Sequence, residues 1–227
     1  GCFGAFLFAG EPLGPSQRVV THWKQRGTSA LRRGLGPGIL PASTLLTLLI
    51  LFALACSAAL GAFEAKSAAD RDALLAFHGY GMAFFGFVVG FTAWARARAD
   101  NAGTPRVLLA AALFVAFVGP WIAMAVAGLL TNRRDEAVLM ASPSPTFAVT
   151  MVQAISTSAP DAGLVATTGC ACAAAWALIG VGLFAAAGLR VRSRLHAEVA
   201  ARSKLQRAFE DEEAALLAAA QAPPSEA

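Results

Sequence analysis

The side chains with chemical potential in this sequence are few and poorly grouped. Cys170 and Cys172 stand two apart, a spacing that on a helix sends them to different sides, and no histidine or acid lies beside them. That spacing does not suit a metal site, where ligands must converge on one point. Of the three histidines, His22, His78 and His196, only His78 falls in an apolar stretch, so a haem held by two histidines would need a second chain. His78 is better read as an interfacial residue bonded to backbone or lipid. There is no glycine-rich phosphate loop and no credible nucleophile–base–acid triad. The expectation is a chain that is not an enzyme and carries neither cofactor nor metal.

The local pattern with most shape is Leu139–Val149, LMASPSPTFAV, where Ser142-Pro143-Ser144-Pro145 interrupts two apolar pieces. Each piece, Ala137–Met140 and Phe147–Ile155, is too short to cross a bilayer. Two such pieces around a Ser/Pro turn predict a segment that dips into the membrane and returns, over 137–155. The alternative is a pair of helices lying flat on the outer surface. Backbone that is not helical survives at membrane depth only where protein covers it.

The elements that must position this turn are long and apolar. Val107–Leu130 runs 24 residues without a charge, and three more apolar blocks flank it. The expected spans are 38–63, 74–94, 107–130 and 164–189, each long enough to cross at about 1.5 Å per residue. The apolar fraction is 57% and the charged fraction 14%, and every acid and base lies outside the four blocks. Charges buried in spans mark proton relays and ion-coupled carriers, so their absence argues against either. Pro120, in the third span, is expected to kink it by freeing a carbonyl one turn earlier. Gly86 and Gly90 form a GxxxG, and Gly169, Ala173 and Ala177 form a small-residue stripe. Both are helix-packing faces, expected to serve within this chain more readily than between copies. Cys56, Cys170 and Cys172 are expected to behave as small buried apolar residues.

The remaining segments are polar. Residues 1–37 form a basic leader, read either as solvated chain or as a helix along the membrane surface with Trp23 at headgroup level. Its first nine residues are apolar, either the end of an earlier helix or a processed terminus. Glu64–Ala73 reads as a short charged connection. After Leu189 comes an amphipathic helix over 190–221, basic in its first half and acidic at Glu210–Glu213, then a disordered tail, 222–227. Of the 18 Lys and Arg residues, 14 fall in the leader, the connection between spans two and three, and the C-terminal helix. By the positive-inside rule these three segments are cytoplasmic, as are both termini. The same flanking positions account for the net charge of +4 without a nucleic-acid partner. The fold class is therefore all-α: a polytopic membrane bundle of four transmembrane helices, a broken helical pair on the outer side and a long cytoplasmic C-terminal helix. The charge bias points to a bacterial inner membrane.

Over Thr21–Leu189, this arrangement resembles the C-terminal half of an ABC-2-type permease, the membrane subunit of many bacterial ABC exporters. The shared features are the four spans, the outer broken pair before the last of them, and the Ser-Pro element at Leu139–Val149. The resemblance implies a separate P-loop ATPase as partner, which binds the ATP, beside other membrane subunits and the lipid bilayer. It implies a coupling helix in Thr21–Arg33, presenting Trp23, Lys24, Arg26, Arg32 and Arg33. It also implies an outer gate shaped by Pro120, Ser142, Pro143, Ser144 and Pro145. A rival reading makes the chain a non-catalytic accessory or scaffold subunit of a large respiratory or photosynthetic complex.

Overall fold

The structure, a computed structural model, describes residues 2–14, 19, 22, 38–101, 103–131 and 137–221. The leader residues Trp23, Lys24, Arg26, Arg32 and Arg33 lie outside these. The described residues are helical, with no strand among them: α1 (Cys2–Phe8), α2 (Ile39–Glu64), α3 (Ala68–Arg98), α4 (Gly103–Thr131), a short 3-10 turn (Val138–Ala141), α5 (Phe147–Ser156) and α6 (Ala162–Gln221). Helices α2, α3, α4 and α6 are long and apolar enough to span a bilayer. The chain is thus an all-α, multi-pass membrane protein. It forms two units, Gly1–Gly188 and Leu189–Ala227.

Within the first unit α3 is central. In its most apolar window 44% of residues are buried, against 11% or less for the other three spans. It packs against α1, α2, α4 and α5, and its Tyr80, Phe84, Phe87 and Val88 are buried. In contrast, α2 leaves Leu48, Leu49, Phe52, Leu60 and Phe63 exposed. In water such a surface would drive aggregation, but among acyl chains it needs no cover.

The helix boundaries have local causes. Ser67 accepts a hydrogen bond from Asp70 N at 3.0 Å, and Asp70 lies in the favourable first turn. This cap starts α3 at Ala68, so most of the expected Glu64–Ala73 connection is helix and only Ala65–Ser67 joins α2 to α3. Asn101 plays the same part for α4, accepting from Thr104 N at 2.9 Å. At the start of α2, Gly38 adopts φ 136°, a conformation open to glycine but not to most residues. Pro41 falls in the first turn, where a missing N–H is harmless.

Glycines set the closest helix crossing. A Cβ on Gly90 would overlap the carbonyl oxygen of Gly180, and a Cβ on Gly180 would stand 2.7 Å from Gly86 O and Phe87 N. Helices α3 and α6 therefore meet backbone to backbone, with Gly86 and Gly90 on one side and Gly180 on the other. Gly169 is pressed against Met151 of α5. At the other edge α1 docks through Ala5 and Ala9, both fully buried. Arg106 Nε donates to Phe6 O at 3.2 Å, and Arg96 Nε donates to Glu11 O at 2.9 Å. Arg106 thus sits where the carbonyls in the last turn of α1 favour positive charge, and Arg96 ties down the chain just beyond it.

The second unit is the later part of α6 with the chain beyond it. Val199, Leu205 and Phe209 are exposed on it, and Gln206 Nε2 donates to Glu210 Oε1 at 2.9 Å, one turn on.

Replacing Gly180 with leucine should force the crossing apart and lower stability by about 1–3 kcal/mol, the usual range for overpacking. Gly182 meets nothing within 4 Å, and its leucine variant should unfold close to wild type. Thermal unfolding of both variants in detergent checks the pair.

Candidate functional site

Prolines at 143 and 145 remove two backbone donors and bar a helix through the segment. What forms instead is a chain of tight turns. Ser142 N donates to Leu139 O at 3.1 Å, Ser144 N to Ala141 O at 2.8 Å, and Phe147 N to Ser144 O at 3.0 Å, where α5 begins. Ser142 and Ser144 are both buried.

Three spans send side-chain donors to this turn. From α3, the Tyr80 hydroxyl donates to Ser142 O at 2.6 Å. From α6, Trp176 Nε1 donates to Pro143 O at 3.0 Å, and the Cys172 thiol donates to Ser142 Oγ at 3.3 Å. From α4, Trp121 Nε1 donates to Thr146 Oγ1 at 2.7 Å and to Ser144 Oγ at 3.1 Å. Ser144 Oγ in turn donates to Phe117 O at 3.2 Å. Among the described residues, no buried side-chain nitrogen or oxygen lacks a partner.

Pro120 belongs to this arrangement. It lies inside α4 and removes the N–H that would bond the carbonyl of Ala116, loosening the ladder in that turn. Phe117 O, in the same turn, is the carbonyl that Ser144 reaches. Trp121, the next residue, points its indole N–H at the turn. The structure thus brings together Pro120, Ser142, Pro143, Ser144 and Pro145.

The depth of the turn follows from its partners. Tyr80 lies roughly 18 Å along α3 from Ala68, Trp121 roughly 15 Å from the end of α4, and Trp176 roughly 21 Å from the start of α6. The turn therefore lies within the bundle and not flat upon its end, and side chains satisfy its irregular backbone in place of water.

Aromatic packing seats the same residues. Trp176 lies 5.4 Å from Phe84, edge to face, and 4.4 Å from Phe87, while Phe84 meets Phe117 edge to face at 5.7 Å. This cluster ties α3, α4 and α6 together just beside the turn.

Other candidate residues fall elsewhere. Ala173 and Ala177 face α3 across an open space. With Cys170, Leu75, Gly79 and Met151 they line an apolar cavity of about 300 Å³. Cys56 and Cys170 are exposed, which corrects the expectation of burial; an exposed thiol in an apolar span needs no protein cover. His78 is buried, with Nδ1 2.8 Å from Leu74 O and Nε2 3.0 Å from Ser57 Oγ. The backbone contact matches the sequence reading, and the serine adds a tie from α3 to α2. A carbonyl only accepts, so the contact places a proton on Nδ1; in the neutral imidazole Nε2 would then accept from the Ser57 hydroxyl. Both residues sit inside helices. No group of three metal-ligating side chains occurs among the described residues. At the far end of the bundle from Arg96 and Arg106, an open cavity of about 540 Å³ is lined by Thr150, Gln153, Thr157 and Asp161 among others.

Sequence reasoning found the turn and missed its clamp. Tyr80, Trp121 and Trp176 each carry a polar group inside an apolar span, and such a group usually finds a partner when buried. That was the available signal. No family model, curated protein or solved structure matches the chain.

The clamp is open to direct measurement. Tyr80→Phe and Trp121→Phe should each lower stability by about 1 kcal/mol, since hydrogen bonds between spans average below that figure and reach somewhat above it. Amide hydrogen exchange across Leu139–Val149 should quicken in both variants and stay unchanged in Phe52→Leu.

Proposed function

We propose that the chain is the membrane-spanning permease subunit of an ABC-type exporter, driven by a separate ATPase. It resides in a bacterial inner membrane with both termini cytoplasmic. The observation that carries this reading is the Ser142–Pro145 turn, held between α3, α4 and α6 by Tyr80, Trp121 and Trp176. A broken element joined to three spans senses any change in their separation. Arg96 and Arg98 in the last turn of α3 and Arg106 in the first turn of α4 lie at the other end of these two spans.

In this mechanism the ATPase engages Thr21–Arg33 on the cytoplasmic side, where Trp23, Lys24, Arg26, Arg32 and Arg33 form the coupling surface. The stroke shifts the spans. When α4 and α6 move against α3, the turn loses one set of donors before the others, and the outer side opens. The chain itself binds no ATP and performs no bond chemistry. The cavity bearing Thr150, Gln153 and Asp161 then lies at the outer exit.

One observation favours a second reading. The exposed apolar face of α2 also suits a neighbouring membrane subunit, as an accessory or scaffold protein of a respiratory or photosynthetic complex would require.

A mild-detergent pull-down of the tagged chain separates the two. The permease reading expects a P-loop ATPase in stoichiometric amount, lost when Thr21–Arg33 is deleted. Recovery of cofactor-bearing redox or photosynthetic subunits without an ATPase would overturn it.

A further inference from the structure

A cavity of about 260 Å³ opens between α2, α3 and α6 in the half of the bundle that carries Arg96 and Arg98. Its lining includes Thr44, Thr47, Gly86, Gly90, Gly180 and Phe184. The backbone contact of Gly90 with Gly180 joins two of its walls. Gly86 leaves space there, since a Cβ on it would meet nothing within 4 Å. The two threonines add no free polarity: Thr44 Oγ1 donates to Leu40 O and Thr47 Oγ1 to Ser43 O, each at 2.8 Å. What remains is a hydrocarbon slot in the surface of a membrane bundle. It is far too small for a helix about 10 Å across.

The row of residues leading out of the slot ends in an aromatic ring and a cation. Gly86, Gly90, Trp94 and Arg98 follow one another at four-residue steps along α3. Arg98 is exposed, and its guanidinium carbon lies 4.3 Å above the Trp94 ring. A tryptophan under a cation at the end of a span belongs to the membrane–water interface. The slot then lies roughly 12–18 Å below Arg98, which is acyl-chain depth when half the hydrocarbon core is about 15 Å.

We propose that the slot between α2, α3 and α6 binds one acyl chain of an anionic phospholipid whose phosphate is held at Arg98. The chemistry at the two ends is complementary to such a lipid: hydrocarbon at the depth of the tail, and a guanidinium on an aromatic face at the depth of the phosphate. This assignment is independent of the exporter reading, because it requires no ATPase and no transport.

Native mass spectrometry of the full chain tests it, with phosphatidylglycerol and phosphatidylcholine of matched acyl chains offered in equal amounts. Wild type should retain a single lipid and prefer phosphatidylglycerol about fivefold, roughly the worth of one arginine near an anionic headgroup. Arg98→Gln should keep the lipid and lose the preference. Thr47→Phe and Gly86→Leu, which fill the slot from different helices, should lower retention of either lipid by about tenfold or more, with helicity and elution volume unchanged. The assignment is overturned if wild type retains no lipid, if it shows no headgroup preference, or if a slot-filling variant that stays folded retains lipid as wild type does. Should both slot variants misfold, Arg98→Gln decides: an unchanged preference overturns the assignment and a lost preference supports it.

Discussion

Within a hydrocarbon layer there is no water to satisfy a backbone carbonyl, and the rest of this structure depends on how that demand is met at residues 142–146. The two prolines make a helix impossible there, so the segment cannot bond to itself as the spans do. Its carbonyls at Ser142 and Pro143 are satisfied by a tyrosine and a tryptophan from different spans, Tyr80 and Trp176. Ser144 mediates in both directions, accepting a hydrogen bond from Trp121 and donating one to Phe117 O in the turn before the proline of α4. The Ser-Pro turn and the Pro120 turn of α4 thus meet through Ser144.

That solution requires close helices. Trp176 can reach Pro143 while packing on Phe84 and Phe87 only where α6 lies tight against α3, and the Gly86–Gly90–Gly180 crossing supplies that approach. The contact has a consequence at its edge. Where two helices meet through glycine, the flanking residues of α2 cannot follow them inward, and a slot remains beside the crossing. One packing device therefore serves the clamped turn toward one end of the bundle and leaves an apolar opening toward the other.

The energies that hold the turn are individually small. Hydrogen bonds between membrane helices average about 0.6 kcal/mol, so the donors gathered here hold the turn by a few kcal/mol in total. In the proposed exporter, this turn is the element that a modest bias from elsewhere in the bundle would shift. In an ordinary rigid span, with every backbone bond inside the helix, no comparable handle exists.

The sequence alone determined the helical class, the four spans and the position of the break, because these follow from local quantities: the length of an uncharged run, the placement of Lys and Arg, and the lack of an N–H on proline. It also marked Gly86 and Gly90 as a packing face. A short signal near Ser67 was present and overlooked, since Ser67-x-x-Asp70 is a helix start within what reads as a charged connection. Tertiary structure alone decided which groups meet. Tyr80 and Ser142 are 62 positions apart, and nothing in the periodicity of either helix encodes the angle at which they cross. Gly180 stands opposite the GxxxG without belonging to any pattern of its own, and Ala173 and Ala177, which do form a pattern, border an open space facing α3. Hydropathy and charge report each residue's preference for solvent, but pairing depends on helix crossings that only the assembled bundle defines.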